Sequence, residues 1–244
     1  MKKIKMKVIT SCLSLGLVAG TLFTPVSAFA GTMGDPTTQL DGRLSTFHQG
    51  AANDCGAVSG IQALANSKFG KKFLNKVISV NSDGSYTLNF GSGKQTVSET
   101  DVANAYISGD LDARVIEAGM QKAMNVYNGC FACDVFAKMT GFGQNIVSGT
   151  TAKANMMNTM ALKCKSGDGI TAACDFSIAD PSKGIIGDGG HSYSIKSVTK
   201  DTVVVINPWD TSKFINMSRS QFESSIRYMT YVDETTNKIV VFWN

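Results

Sequence analysis

The chain is poor in histidine: His48 and His191 are its only two in 244 residues, so any chemistry that needs an imidazole base has two candidates. It has no dense Lys/Arg stripe interleaved with aromatics, which removes the usual footprint of a nucleic-acid partner. Beyond residue 30 no stretch is apolar enough to span a bilayer, so a second membrane-crossing segment is not expected. Internal repeats and low-complexity tracts are missing, which excludes solenoid and fibrous architectures. A net charge is missing as well, once the first residues are set aside. Four of the twenty-three basic residues are Lys2, Lys3, Lys5 and Lys7, and the nineteen that remain balance nineteen acidic ones.

What is present begins with those four lysines, which lead into an apolar run from Val8 to Val26 and then Ala28-Phe29-Ala30. This is the pattern of a secretory signal with an Ala-x-Ala cleavage site, so residues 1–30 are set apart from the fold and the protein is expected to be exported. Residues 31–47 read as a short polar leader, and residues 48–244 as one domain large enough to need no metal or disulfide to hold its core. Five of the six cysteines follow the signal: Cys55, Cys130, Cys133, Cys164 and Cys174. An odd number in an oxidising space leaves at least one thiol unpaired. With Cys55 free, the other four allow two bridges in three connectivities. Bridges rank above buried free thiols, and both above a four-thiolate zinc site, because Cys164 and Cys174 are spaced too widely for a zinc knuckle.

The periodicity predicts a buried helix from Cys55 to Asn66, capped by Asn53 or Asp54, with Cys55 in its first turn. Val77–Val80 and Tyr86–Phe90 flank Asp83-Gly84 and predict a hairpin. Apolar residues at helical spacing, Val115, Ile116, Met120 and Ala123, predict a helix over 112–125, with Asp110 or Asp112 as cap. A further helix is expected from Thr151 to about Lys163. A loop rich in glycine and containing Pro181 is expected from Ser166 to Gly190. Strands are predicted at 193–198 and 202–206, a short helix around 221–228 opened by the Ser218/Gln221 capping box, and a final strand at 238–243. Helices come early and antiparallel strands late, which gives an α+β fold of two lobes rather than alternating βαβ units.

A thiol becomes a useful nucleophile when its thiolate is stabilised, and a helix N-terminus with a nearby imidazole supplies that. Cys55 has the first by position. His191 is preferred to His48 as base, because it starts a strand after Gly189-Gly190 where the ring is free to enter a cleft. A base of this kind needs a third group to orient it. Asn207 ends the strand expected to pair with the one His191 begins, and Trp209 follows to shield the contact. Gln49 stands just before the Cys55 helix, where its amide and a backbone N–H can converge on a developing oxyanion.

Three segments carry a family resemblance. Gln49-Gly50-Ala51-Ala52-Asn53-Asp54-Cys55 resembles the calpain Gln-Gly-x-x-Gly-Asp-Cys-Trp motif, Gly190-His191-Ser192-Tyr193-Ser194-Ile195 its Gly-His-Ala-Tyr-Ser-Val motif, and Ile206-Asn207-Pro208-Trp209 its Asn-Pro-Trp motif. Asp83-Gly84-Ser85-Tyr86, the Ala113–Ala123 helix and the 217–228 segment extend the likeness over about residues 48–232. Gly56 stands where calpains carry tryptophan, and Asn53 where they carry glycine. The resemblance implies a papain-like cysteine endopeptidase with a helical lobe at about 48–165 and a β lobe at about 185–244. Its catalytic residues would be Cys55, His191 and Asn207, with Gln49 for the oxyanion. It implies a protein or peptide substrate, a monomer, and no cofactor for the chemistry. No acidic cluster matches a calcium-ligand motif, so the sequence assigns neither a metal site nor calcium dependence. Two other functions fit these residues: an acyl-enzyme passed to an amine, as in a transglutaminase- or acyltransferase-like enzyme, or an exported binding protein or effector that keeps the fold without the activity.

Overall fold

The computed structural model describes residues 39–174 and 190–243. Residues 1–38, 175–189 and 244 lie outside the described residues, and with them the expected signal, most of the expected leader and much of the expected glycine-rich loop. The chain is a mixed α/β protein of the α+β kind. A short strand β1 (Phe47–His48) leads to the buried helix α1 (Cys55–Ala65). After it come α2 (Lys68–Val77), then a three-stranded sheet of β2 (Ile78–Val80), β3 (Tyr86–Phe90) and β4 (Gly93–Val97). Next are α3 (Glu99–Ala103), β5 (Ser108–Gly109), α4 (Leu111–Met124) and α5 (Ala132–Thr140).

The second half builds a seven-stranded sheet from β6 (Gly143–Val147), β7 (Ile170–Cys174), β8 (His191–Val198), β9 (Thr202–Asn207), β10 (Asp210–Ser218), β11 (Ile226–Asp233) and β12 (Lys238–Trp243), in the order β10-β9-β8-β7-β11-β12-β6. All its neighbours are antiparallel except β6, which runs parallel to β12. The strands within the expected antiparallel lobe of about 185–244 pair with one another antiparallel, and the parallel edge comes from β6, which lies before it in the sequence.

Helix α6 (Thr150–Ser166) and the short α7 (Arg219–Ser225) complete the described elements. Side chains alternate across a strand, and the sheet uses both faces. Tyr228, Val232, Ile239 and Val241 join one core with α1, α4 and α5. Met229, Tyr231, Val240 and Phe242 point the other way and pack with Met156, Met157 and Met160 of α6 and Phe222 of α7. Helix α6 therefore covers the opposite face of the sheet instead of joining the helical half to which its place in the sequence assigned it.

Several local expectations are met and several shift for identifiable reasons. Asp110 caps α4 by accepting from the Ala113 N–H at 3.0 Å, and Asp112 does not. The Ser218/Gln221 capping box forms, but α7 stops at Ser225 and Tyr228 belongs to β11. Strand β11 is buried on both sides from Tyr228 to Val232, so it shows no alternating pattern. Val77 is the last residue of α2, not the first of a strand: Ser67 accepts from the Gly70 N–H at 2.8 Å and so fixes the helix start, while Leu74 and Val77 share its buried face. Strands β4 and β6 are largely exposed and polar, so neither carried an apolar signal.

The central helix can lie close to its neighbours because small residues line the contact. A Cβ on Gly169 would come within 2.6 Å of the Ala63 carbonyl oxygen of α1. At the start of α1, a Cβ on Gly56 would overlap the carbonyl oxygen of Cys130.

Candidate active site

Cys55 is the first residue of α1, and Asp54 holds the N-cap position without capping any N–H through its side chain. The helix is pinned to β8 one turn further on. Ser59 Oγ and Ser192 Oγ are hydrogen-bonded at 2.6 Å in the interior, and Ser59 Oγ also donates to the Gly56 carbonyl at 3.3 Å. The Tyr228 hydroxyl accepts the Ala132 N–H at 3.0 Å and adjoins Ser192. The two serines thus connect α1 to β8, and the Ser192 N–H is among the groups that favour the Cys55 thiolate. His191 precedes Ser192 at the start of β8.

His191 is 5% exposed. Its Nε2 lies 3.4 Å from Asn207 Oδ1, a long hydrogen bond, and the same oxygen accepts the Trp209 N–H at 3.0 Å. The expected pairing of β8 with β9 is present, but Ser194 faces Ile206, so His191 and Asn207 are not opposite each other in the ladder. Their side chains meet diagonally beyond its end. Tyr193 stands edge-on to the imidazole with ring centroids 4.8 Å apart, and Trp209 tilts over it at 6.4 Å while remaining 50% exposed.

Burial sets the protonation of this pair. It holds the His191 imidazole down to about 4, with the Asn207 hydrogen bond working in the opposite direction. It pushes the Cys55 thiol up, with the N–H groups of Ser192 and Gly56 opposing and the Asp54 carboxylate adding to the rise. At neutral pH Cys55 is a thiol and His191 a neutral imidazole, and with Nε2 engaged by Asn207 the remaining ring nitrogen, Nδ1, is the one open to a proton.

Gln49 is buried beside this pair. Its backbone N–H donates to the Pro208 carbonyl at 2.7 Å, which ties the approach to Cys55 to the residue after Asn207. Its amide Nε2 donates to the Ala52 carbonyl at 2.9 Å, so one of its two amide hydrogens is taken by its own loop. The other sequence candidate, His48, lies in β1, where its Nδ1 is 3.5 Å from the Asp210 carboxylate. It takes no part in the Cys55 neighbourhood.

Cys130, Cys133 and Cys164 are free thiols, as is Cys55, and no disulfide joins any of them. The expected two bridges are corrected to that extent. Cys130 and Cys133 pack with the core on the α1 side of the sheet and Cys164 with the core on the α6 side, so the sheet separates them. The side chain of Cys174 lies outside the described residues. Among the described residues no group of three or more His, Cys, Asp or Glu is placed to hold a metal, and no helix is long and apolar enough to cross a membrane.

The sequence missed Ser59, Ser192 and Tyr228, whose roles arise only where three elements meet. It also missed Glu117, a fully buried acid beside Asp54. The one local signal was an acid on the apolar stripe of α4, one turn from Ala113 and Met120. Comparison of the chain with protein-family models and with curated proteins finds no match.

Proposed function

We propose that the protein is a cysteine endopeptidase of the calpain type, with a papain-like two-lobed fold, acting on exported or extracellular protein substrates as a secreted monomer. The observation that carries the reading is the buried His191–Asn207 contact at the start of β8, a strand tied to the Cys55 helix by the Ser59–Ser192 bond. Nε2 of His191 is engaged by Asn207, Nδ1 is open, and Cys55 is the first residue of that helix.

In this reading the Cys55 sulfur attacks the scissile carbonyl carbon as its proton passes to His191. The carbonyl electrons move onto oxygen, where the Cys55 backbone N–H and the second amide hydrogen of Gln49 stabilise them. Collapse breaks the C–N bond, and His191 returns the proton to the departing amine. Water, deprotonated by the same imidazole, then attacks the thioester carbon, expels the Cys55 thiolate and leaves a carboxylate product. No cofactor enters these steps. Burial keeps His191 neutral, and so able to accept a proton, above about pH 4.

The test is mass-spectrometric mapping of cleavage in a diverse peptide mixture, with calcium and with chelator, for the wild-type chain and Cys55→Ala. Cleavage by the wild type that the variant lacks supports the reading. Intact peptides in every arm, or equal cleavage by both chains, overturn it. New amide cross-links without cleavage move the assignment to acyl transfer.

A further inference from the structure

Two carboxyl groups lie buried behind Cys55 with no cation to neutralise them. Asp54 and Glu117 are both 0% exposed. Neither oxygen of Asp54 meets an N–H or O–H in hydrogen-bonding geometry, and the same holds for Glu117 Oε1. Glu117 Oε2 accepts the Ile107 N–H at 2.9 Å. Among the described residues no Lys, Arg or His forms an ion pair with either group. The two carboxyl groups lie within interaction range of each other, and the Gln49 side chain is close to Asp54.

Two ionised carboxylates in contact inside a protein repel strongly, and three buried acceptor oxygens without donors add a desolvation cost. One proton removes the repulsion and satisfies two of the three oxygens. Placed on Glu117 Oε1, it supplies the donor the structure lacks and turns the contact into an acid–carboxylate hydrogen bond, the short and strong kind. The groups facing the pair from other elements are the Tyr127 hydroxyl, the Gln49 amide and the thiols of Cys55 and Cys130, all neutral at pH 7, so nothing else offsets a second charge.

We propose that Glu117 and Asp54 share one proton, and that this pair is the positioning device that holds Gln49 and the start of α1 in register with Cys55. The series runs from the Ile107 N–H to the Glu117 acid and on to the Asp54 carboxylate, which the Gln49 side chain adjoins. Glu117 is a positioning residue, because it reaches the chemistry only through Asp54. Burial and the neighbouring Asp54 hold its proton up to about 9, so the device works across neutral pH and fails in alkali. Its catalytic part rests on the peptidase reading, whereas the shared proton does not.

The first measurement is infrared spectroscopy of the wild-type chain at pH 8, where Asp112, the acid outside the pair that burial raises to about 6, has ionised. The expected result is the carbonyl stretch of an un-ionised carboxylic acid, lost as pH rises through about 9. No such band at pH 8 overturns the proposal. The second is thermal stability against pH for wild type and Glu117→Gln, whose amide keeps both hydrogen bonds without a proton to lose. A native group that binds its proton more tightly than the unfolded chain loses stability as pH rises between the two pKa values. The advantage of Glu117→Gln should therefore grow from about pH 4.5 to about pH 9 and then level, and a flat difference refutes the shared proton. The third is kcat against pH, with an alkaline fall near pH 9 in wild type and none in Glu117→Gln. If no peptide is cleaved, the first two measurements still decide the pair, and only the peptidase reading falls. A persistent alkaline fall in Glu117→Gln with the band present removes the positioning role alone.

Discussion

Replacing Gly56 with alanine is a one-methyl perturbation whose cost follows from the structure. The new Cβ would overlap the Cys130 carbonyl oxygen and stand 3.0 Å from its carbon and 3.4 Å from the Ala132 nitrogen. These are backbone atoms, so no rotamer change relieves the clash, and either the first turn of α1 or the 130–132 segment must move. Overpacking of this kind costs up to about 3 kcal/mol, and the helix preference of alanine over glycine returns about 1 kcal/mol. A net loss of about 2 kcal/mol lowers the melting temperature of a chain this size by about 4–8 °C. Circular-dichroism melting of Gly56→Ala beside Gly143→Ala, whose Cβ would meet only Lys238 Nζ at 3.5 Å, measures it. Site-resolved alkylation of Cys55 should also slow or quicken as the helix start shifts away from Ser192. An unchanged melting point with unchanged Cys55 reactivity would refute the close seating of Cys130 on Gly56. The same overlap explains why the tryptophan found there in calpains has no room in this chain.

Ser59→Ala leaves the buried Ser192 hydroxyl with one partner fewer and is expected to cost about 1–2 kcal/mol in urea unfolding. The Ser59→Ala/Ser192→Ala pair should cost less than the sum of the two single changes, since both remove the same 2.6 Å bond. Acidification tests His191. In the unfolded chain its imidazole takes a proton near 6.5 and in the folded chain near 4, so the unfolded state binds more protons in between and stability falls as pH drops through that window. Asp112 works against this, since its native carboxyl is raised to about 6 and gains protons first in the folded state. The wild-type minus His191→Gln difference in unfolding free energy isolates the histidine and should shrink by on the order of 3 kcal/mol between pH 7 and pH 4. On the proposed peptidase reading, the acid limb of cleavage should lie near pH 4 for the same reason, and a limb near 6.5 would overturn the assignment of the buried His191 as base.

The sequence by itself determined the elements whose information is local. The capping residues Asp110 and Ser218, the Asp83-Gly84 turn, the buried stripe of α4 and the closing strand β12 are each written within a few neighbouring residues, and each formed at or near its expected place. The candidate residues Cys55, His191, Asn207 and Gln49 were proposed because their types are rare or distinctive and sit at element ends. Only the tertiary structure decided which of their side chains touch. The diagonal contact of His191 with Asn207 depends on the β8–β9 register, and the approach of Cys55 to β8 depends on two serines that bond across 133 positions. Strand β11 and the placement of α6 escaped the sequence because burial on both faces erases periodicity, and because which face a helix covers is set by the sheet it meets. Asp54 looked like a helix cap and Glu117 like an exception on an apolar face. Their partnership was invisible, since a carboxyl group's proton depends on what surrounds it in space, and the sequence records only what precedes and follows it along the chain.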